Sequence, residues 1–239
     1  MAVRYSVASD VGRRRENNED SYLVEGLPGG GLLVAVADGL GGCAAGEVAS
    51  ALAVRTLRRA VGAAGLPEPD GLREGFRQAA AAVYAAAAQP GEHSGMATTL
   101  TAAVVAANEL FLGHLGDTRL YLIRDGAIRR LTEDHSVAEE MERSGEGAAG
   151  GRENPQRHVL TRALGVKADE EADFRRVSLE PGDRLLLCSD GLTSLVADAE
   201  LAQVLAGTSV ERSAQELVRL ANDRGGYDNI TAVVVELPA

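Results

Sequence analysis

The chain has 239 residues, of which 45% are hydrophobic and 25% charged, so it is long and apolar enough to bury a globular core. Acidic residues outnumber basic ones 35 to 24, which gives a formal net charge of −11. This acidity argues against a nucleic-acid partner, because phosphate backbones are bound by clustered lysines and arginines. Lysine chemistry of the Schiff-base or Walker type has almost no candidate, since Lys167 is the only lysine.

Cysteine and hydropathy patterns indicate a reducing compartment and no membrane segment. Cys43 and Cys188 are too few for a disulfide framework, and the four histidines show no zinc-binding spacing. The longest run of small apolar residues, from Ala79 to Ala88, is too short to span a bilayer. No apolar signal-peptide core follows Met1. We therefore expect a cytoplasmic, monomeric protein that contacts no membrane, with residues 1–239 forming one domain.

Short apolar runs bounded by turn residues predict strands, and longer Ala-, Leu-, Glu- and Arg-rich segments predict helices. In chain order the expected strands are 4–8, 21–25, 31–37, 98–107, 110–115, 120–124, 127–131, 175–179, 184–188 and 230–237. The expected helices are 46–63, 71–88, 136–143 and 209–224. Capping-box spacing marks two helix starts, Ser136 with Glu139 and Thr208 with Glu211.

The order of these elements favours an α+β fold over a doubly wound parallel sheet. Helices occur in pairs and not in strict alternation with strands, which is typical of stacked antiparallel sheets with helices outside. We expect a four-layer α-β-β-α sandwich, with two mainly antiparallel sheets flanked by helix pairs. The polar, glycine-rich stretch from Ser144 to Asn154 predicts a surface flap, which extends over about residues 137–165.

Five aspartates occupy positions at the ends of predicted strands. Three of them follow apolar strands, at Asp38, Asp117 and Asp190, while Asp20 and Asp228 each come just before a strand. Converging carboxylates repel one another at low dielectric unless cations neutralise them. Oxygen ligands without nearby histidine or cysteine favour Mg²⁺ or Mn²⁺. The pattern therefore indicates a metal cluster.

A pair of such ions is the usual arrangement for hydrolysing a phosphate ester. Arg15 precedes Asp20 by a few residues and can bind a phosphate through its bidentate fork. Gly39, directly after Asp38, allows a backbone carbonyl to approach a metal without a side-chain clash. The competing interpretation is that each Asp-Gly is a plain turn, which is the commoner role of any single one.

A different class of protein also fits part of the sequence. The segment from Gly39 to Ala44 matches the G-x-G-x-x-A dinucleotide fingerprint after an apolar strand. That fingerprint expects a second strand followed by an acidic residue for the ribose. Here the sequence remains helix-like through Ala63, with Glu68 and Asp70 in a Pro-containing loop, so a nucleotide-dependent oxidoreductase is disfavoured.

The motifs resemble those of the metal-dependent type 2C (PPM) serine/threonine protein phosphatases in their compact bacterial form. The resemblance is carried, in family order, by SDVGRRRENNEDS from Ser9, VADGLGG from Val36, AGEVAS from Ala45, GMATTLTAAVV from Gly95, GHLGDTRLYLIRDG from Gly113, LTEDHS from Leu131, HVLTRALG from His158, PGDRLLLCSDGL from Pro181 and DNITAVVV from Asp228. It covers nearly the whole chain.

The resemblance implies a phosphatase that uses a water activated between two metal ions. It implies that two Mn²⁺ or Mg²⁺ ions are held by Asp20, Asp38, Asp190, Asp228 and the Gly39 carbonyl. Asp117, with Asp190, would bind a third and looser ion, and Arg15 would bind the phosphate. The implied partners are phosphorylated proteins, among them a serine/threonine kinase and its substrates or, equally, a phosphorylated regulatory protein of a partner-switching system.

One position departs from the family pattern. Cys43 stands where the family commonly has a histidine, which is thought to protonate the leaving oxygen. A thiol with a pKa near 8.5 can donate a proton but is less well matched to the task. We therefore expect Cys43 as a weaker general acid and a reduced activity. The alternatives are that Cys43 has no chemical role, and that the chain is a phosphoprotein-binding regulator of low or no activity.

Overall fold

The computed structural model describes residues 3–28, 30–40, 45–64, 69–145 and 154–238. Its strands, in chain order, are β1 Arg4–Asp10, β2 Asp20–Gly26, β3 Leu32–Leu40, β4 Ala97–Thr98, β5 Leu100–Ala106, β6 Glu109–Leu115, β7 Arg119–Arg124, β8 Ala127–Arg130, β9 Asp173–Ser178, β10 Arg184–Cys188 and β11 Ile230–Glu236. Its α-helices are α1 Ala45–Ala64, α2 Pro69–Ala87, α3 Val137–Ser144, α4 Asp190–Thr193, α5 Asp198–Gly207 and α6 Val210–Asp223. A 3₁₀ turn covers Pro155–His158.

The strands form two sheets in which every pairing between strands is antiparallel. One sheet has the order β1-β11-β10-β7-β8, and the other has the order β2-β3-β5-β6-β9 with β4 added beside β3. Since β3 and β5 are antiparallel, α1 and α2 do not form a parallel crossover between them. The dinucleotide-binding interpretation of residues 39–44 is therefore wrong.

Alternating side chains of β3 show how the layers are built. Leu32, Val34 and Val36 pack into the core between the two sheets, together with Leu185 and Val233 of the facing sheet. The intervening residues of β3 point the other way, as expected for a strand with a side-chain period of two. Because both faces of β3 are covered, nearly all of its residues are buried.

The outer layers complete the sandwich. Leu33 and Ala35 of β3 pack against Leu57 of α1 and Phe76 of α2. On the opposite side, Ala232 and Val234 of β11 pack in a cluster with side chains of α5 and α6. The predicted four-layer α-β-β-α sandwich is confirmed. Among the described residues, no helix is both long and apolar enough to cross a membrane.

The structure departs from the sequence predictions at several element boundaries. β3 continues to Leu40, so Asp38 lies inside the strand, paired with β2, and not beyond its end. Helix α5 was not predicted, because its N-cap is Ala197 and so lacks a capping side chain. Thr208 is the C-cap of α5, and the N-cap of α6 is Ser209, so the predicted cap at Thr208 is wrong.

The other capping prediction is confirmed at the start of α3. The Ser136 hydroxyl accepts a hydrogen bond from the Glu139 amide at 3.3 Å, and Gly145 ends the helix in the left-handed conformation. Most of the predicted flap loop, residues 146–153, lies outside the described residues. Cys43 also lies outside them.

Candidate functional site

A cavity of about 440 Å³ opens at one end of the sandwich, where segments of both sheets meet. Asp38 lies in β3, and Asp117 lies in the loop after β6; both strands belong to the six-stranded sheet. Asp190 begins α4 after β10, and Asp228 lies just before β11, both in the five-stranded sheet. Arg15 also lines this cavity. Stacking of the two sheets therefore brings together side chains that are far apart in the chain.

Asp20 is set back from the cavity and faces Asp38 across the sheet. The two residues are direct partners in the antiparallel register of β2 and β3, and such partners have Cβ atoms about 5 Å apart. Ser189 donates its hydroxyl to Asp20 Oδ2 at 2.7 Å. The other carboxylate oxygen, Asp20 Oδ1, is buried and has no hydrogen-bond partner. An orphaned buried acceptor of this kind is costly in a native protein.

The backbone around Asp38 is held by three hydrogen bonds from a neighbouring segment. The Asp38 amide donates to Thr99 Oγ1 at 2.9 Å, and the Asp38 carbonyl accepts from the Thr99 amide at 2.9 Å and from Thr98 Oγ1 at 2.8 Å. The strand therefore fixes the direction in which the Asp38 carboxylate leaves the sheet.

Gly39 has a structural reason for being glycine that the sequence did not indicate. A Cβ at this position would lie 2.2 Å from the Gly46 carbonyl oxygen and 2.8 Å from the Glu19 carbonyl oxygen. The Gly39 amide also donates to that Glu19 carbonyl at 3.2 Å. Close packing of three backbone segments therefore requires glycine here, whatever its carbonyl binds.

Asp117 is positioned through the glycine that precedes it. Gly116 has a φ of 110°, a conformation that disfavours other residues, and a Cβ there would lie 2.5 Å from Thr99 Cγ2. The Gly116 amide donates to His135 Nδ1 at 3.0 Å, and the His135 amide donates to the Gly116 carbonyl at 2.8 Å. His135 thus has a structural hydrogen-bonding role next to Asp117.

Asp190 is paired with a histidine of the segment that precedes β9. His158 Nδ1 lies 3.0 Å from Asp190 Oδ2, and this contact is the main cause that raises the pKa of His158 above its ordinary value. About half of the His158 side chain remains exposed, and the residue lines the cavity. His158 is therefore part of the candidate site.

Asp228 forms an ion pair with Arg15. The Arg15 guanidinium donates to Asp228 Oδ2 at 2.8 Å, and both side chains are partly exposed at the cavity wall. The second Asp228 oxygen accepts from the Asn229 amide at 2.8 Å. The predicted phosphate-binding arginine is therefore inside the site, next to the carboxylates.

Asn229 joins the loop before β2 to the start of β11. Its side chain donates to the carbonyls of Val11 and Asn17 at 3.0 and 2.8 Å and accepts from the Glu19 amide at 2.8 Å. Gly191 approaches the same segment so closely that a Cβ would lie 2.0 Å from the Asn229 carbonyl oxygen. The loops that carry the acidic residues are thus held backbone to backbone.

The carboxylates raise one another's pKa values. Burial is the main cause that raises the pKa of Asp20 to about 7, and Asp190 and Asp228 add to the effect. Burial also raises the pKa of Asp38 and Asp117 well above the ordinary range, with further contributions from neighbouring aspartates. When these carboxylates are ionised, their negative charges lie close together and away from water, which is unfavourable without a compensating cation.

These observations fit divalent metal ions. The donor set is all oxygen, one buried carboxylate oxygen has no partner, and the carboxylates destabilise one another's charged forms. Within the described ranges, no three His, Cys, Asp or Glu side chains are already grouped so as to hold an ion. Asp190 and Asp228 instead direct one oxygen each to His158 and Arg15, and these ion pairs would have to open.

Glu19 is a further acidic group that sequence reasoning did not select. It lines the cavity, and burial raises its pKa. Its position next to Asp20 in the Asn-Asn-Glu-Asp segment was the available signal. Away from the cavity, Cys188 is a buried free cysteine and His114 is buried in the fold. Cys43, the predicted general acid, is outside the described residues.

A sandwich of two antiparallel sheets with an acidic, arginine-bearing cavity at one end defines a phosphatase of the metal-dependent class. The protein phosphatase 2C family model matches residues 12–233. The serine/threonine phosphatase stp of Listeria welshimeri is 37% identical over 235 residues, which cover 95% of this chain and 93% of that protein. The chain belongs to the protein phosphatase 2C family and is a phosphoprotein phosphatase of that class.

Solved structures agree with this assignment. The PPM Ser-Thr phosphatase MsPP from Mycobacterium smegmatis, in complex with cacodylate, is 40% identical with a TM-score of 0.87, and the match covers 98% of each chain. The catalytic domain of the serine/threonine protein phosphatase PstP, in complex with two manganese ions, is 36% identical with a TM-score of 0.86 and 99% of each chain covered. The predicted family and fold class are confirmed.

Proposed function

We propose that this chain hydrolyses phosphoserine and phosphothreonine in proteins, with two Mn²⁺ or Mg²⁺ ions held by Asp20, Asp38, Asp190, Asp228 and the Gly39 carbonyl. Asp117, together with Asp190, would hold a third and weaker ion. The observation that carries the proposal is the buried Asp20 Oδ1 without a partner, beside carboxylates that raise one another's pKa. The manganese-bound PstP domain supports the choice of metal.

When bound, such cations would supply the positive charge that polarises a phosphoryl group and acidifies water. The chain's own contribution to phosphate binding is Arg15. Its guanidinium now donates to Asp228, and its side chain is about half exposed, so it can turn toward a phosphate at the cavity. Two parallel N–H groups of an arginine match two phosphoryl oxygens.

The remaining residues hold this site in shape. Asn229 ties the loop that bears Arg15 to the segment that bears Asp228. His158 lines one side of the cavity. Because Asn229 fixes the two loops before a substrate arrives, the backbone needs little ordering when the phosphate binds.

Protonation of the leaving oxygen is assigned to Cys43, on sequence grounds alone. This assignment predicts a slower reaction on seryl and threonyl phosphates, which are poor leaving groups, than on aryl phosphates. The alternative, a regulator without activity, has no support from the relatives, which are named as phosphatases.

The partners follow from the activity. Phosphorylated proteins are the substrates. We propose that they include a serine/threonine kinase and the proteins that this kinase phosphorylates. We further propose that residues 1–239 act as one catalytic domain, in the cytoplasm and as a monomer, with part of segment 137–165 as a flap at the cavity.

The test is metal-dependent turnover of a phosphothreonine peptide. Metal-free protein is expected to be inert, Mn²⁺ to restore hydrolysis, and Asp38→Ala or Asp190→Ala to abolish it. The exposed Glu92 provides a control, since Glu92→Ala removes a carboxylate outside the cavity and is expected to keep the parent rate. Activity that resists a chelator would contradict the proposal.

A further inference from the structure

His135 is a buried residue that touches the backbone next to Asp117 without lining the acidic cavity. Its side chain belongs instead to the wall of a second cavity of about 390 Å³, together with Arg162 and Asp173. The chemistry proposed above gives His135 no task. Its contacts nevertheless reach one of the proposed metal ligands through a single intervening residue.

Two hydrogen bonds connect His135 to Gly116, the residue before Asp117. The Gly116 amide donates to His135 Nδ1 at 3.0 Å, and the His135 amide donates to the Gly116 carbonyl at 2.8 Å. The Gly116 amide belongs to the peptide group before this glycine, and the carbonyl belongs to the peptide group that leads into Asp117. The two contacts together therefore fix both backbone angles of Gly116.

Gly116 needs a restraint of this kind. It has to be glycine, because its φ is 110° and a Cβ would lie 2.5 Å from Thr99 Cγ2. Glycine, however, has more backbone freedom than any other residue. An unrestrained glycine directly before Asp117 would let the carboxylate swing, so contacts from another part of the chain have to hold it.

The Asp117 side chain has no comparable support of its own. Asp20, Asp190 and Asp228 each have a hydrogen-bonded partner in another side chain. Within the part of the chain that the structure describes, no other side chain makes such a contact to the Asp117 carboxylate. The direction of this carboxylate therefore depends on its backbone, and hence on Gly116.

The hydrogen bonds of His135 require one tautomer of its ring. A backbone amide cannot act as an acceptor, so Nδ1 carries no proton and Nε2 carries the N–H. Nε2 lies 3.1 Å from Asp173 Oδ2, which accepts this hydrogen. Arg162 Nη1 lies 2.9 Å from Nε2, and its positive charge disfavours a second proton on the ring. Burial lowers the pKa of His135, and Arg162 lowers it further, so the ring is neutral at neutral pH.

The ring is also held in position. His114 stacks on it, with the ring centroids 4.8 Å apart and the ring planes inclined by 30°. Asp173, the first residue of β9, binds Nε2 and also accepts from Arg162 at 3.2 Å. The acceptor that faces Gly116 is thus fixed in place, as is usual for the outer residues that orient the ligands of a metal site.

We propose that His135 is a positioning residue for the third and weaker metal ion, because it fixes Gly116 and thereby the direction of the Asp117 carboxylate. This inference rests on the proposed metal-dependent phosphatase function, in which Asp117 and Asp190 hold that ion. It adds a residue that touches neither the ion nor the substrate but sets how tightly the ion binds. Loss of such an outer contact weakens metal binding by about 10- to 100-fold.

Two variants of His135 separate the contact to Gly116 from the contact to Asp173. In His135→Asn the side-chain oxygen takes the place of Nδ1, so the acceptor for the Gly116 amide is kept. In His135→Gln the side-chain amide reaches the place of Nε2, so the contact to Asp173 is kept and the acceptor for Gly116 is lost. Ser213→Ala is the matched control, because it removes a buried hydrogen bond at 2.9 Å in α6, outside the acidic cavity.

The experiment is a calorimetric titration of each metal-free protein with Mn²⁺. The Kd of the weakest ion is expected to rise by about 10- to 100-fold in His135→Gln and to change little in His135→Asn and Ser213→Ala. The Kd values of the tighter ions are expected to stay the same in all three variants. Hydrolysis of a phosphothreonine peptide by His135→Gln should need a correspondingly higher Mn²⁺ concentration, with kcat restored at saturating Mn²⁺. A variant that is merely less stable would not show this shift.

Asp173→Ala tests the same inference without changing the ring. The Asp173 side chain is about half exposed, so its removal leaves the core intact. The ring then keeps its contact to Gly116 but loses the acceptor that holds Nε2. We expect a rise in the Kd of the weakest ion that is smaller than the rise in His135→Gln, and an unchanged Kd would contradict the inference even if His135→Gln did not fold.

The outcomes separate this inference from the function on which it rests. If the parent protein binds no Mn²⁺, or leaves the phosphopeptide intact when Mn²⁺ is bound, the phosphatase proposal fails. Asp117→Asn is the reference and is expected to abolish the weakest binding step; if that step remains, Asp117 does not hold the ion and the inference falls with it. If Asp117→Asn abolishes the step but His135→Gln keeps the parent Kd, or His135→Asn loses as much affinity as His135→Gln, only the positioning role of His135 is refuted.

Discussion

Replacing Asp20 by asparagine is expected to stabilise the metal-free protein and to abolish its stabilisation by Mn²⁺. Asn keeps the shape of the side chain and can still accept the hydrogen bond from Ser189. It removes a carboxylate whose charge is opposed by burial and by Asp190 and Asp228. The variant is therefore expected to be more stable than the parent without metal and to gain no stability from Mn²⁺.

The size of the effect follows from the pKa of Asp20. The folded protein raises this pKa from 3.8 to about 7, so between these values the folded state binds more protons than the unfolded state. Stability is therefore lost as the pH rises through this window, by up to about 4 kcal/mol at 1.36 kcal/mol per pKa unit. An imperfectly paired asparagine amide costs about 1–3 kcal/mol. We expect a net gain of roughly 1–3 kcal/mol at pH 8 and no gain at pH 4.

The assay is urea unfolding at both pH values, with a chelator and with Mn²⁺. Asp183 gives the matched control, because it is a buried carboxylate that accepts from Arg124 at 2.7 and 2.8 Å. Asp183→Asn is expected to destabilise the protein equally with and without Mn²⁺, since it weakens the two hydrogen bonds from the partly exposed Arg124 to a buried carboxylate outside the cavity. If Asp20→Asn behaves like that control, the reasoning about the metal site is wrong.

Three further predictions concern the phosphate, the leaving group and the core. Arg15→Lys is expected to keep the charge but lower kcat/KM on a phosphopeptide by about 10- to 100-fold, because an ammonium lacks the bidentate fork; an unchanged kcat/KM would remove Arg15 from phosphate binding. Cys43→His is expected to raise the phosphopeptide rate by about 10-fold or more, with a smaller gain on an aryl phosphate and a loss in Cys43→Ala; equal rates for the three proteins on both substrates would exclude Cys43 from the mechanism. Burial lowers the pKa of His114 to about 3, so between about pH 6.5 and 3 the unfolded state binds a proton that the folded state does not. The protein therefore loses stability as the pH is lowered through that window. Denaturation measures the decrease in the free energy of unfolding between pH 7 and pH 4.5. This decrease is expected to be smaller in His114→Gln than in the parent by about 1–3 kcal/mol, and an equal decrease would argue against a neutral buried His114.

The sequence predicted those strands whose bounds are set by their own residues. β10 was predicted at residues 184–188 and is observed there, because an apolar run between turn residues leaves little choice. The end of β3 was misjudged, since Asp38 and Gly39 look like a turn. Their extension of the strand depends on pairing with Ala97 and Thr98, which are far away in the chain. A contact of that kind is not visible in a local window.

The site shows the same division. The aspartates were recognised because each stands at the boundary of a strand predicted from the sequence, and four of them line the cavity with the fifth beside them. His158 was not recognised, because its contact with Asp190 depends on how the segment after residue 154 crosses the cavity. Gly39 was assigned to metal access, whereas the structure shows in addition that its missing Cβ lets two carbonyl groups approach.

The position of β11 has a consequence for folding. This strand lies between β1 and β10, although β1 is far from it in sequence, and Asp228 stands at its entrance. The side of the cavity that carries Asp228 is therefore completed only when distant parts of the chain have paired. Pairing over long sequence distances is slow, so we expect the cavity to form late in folding.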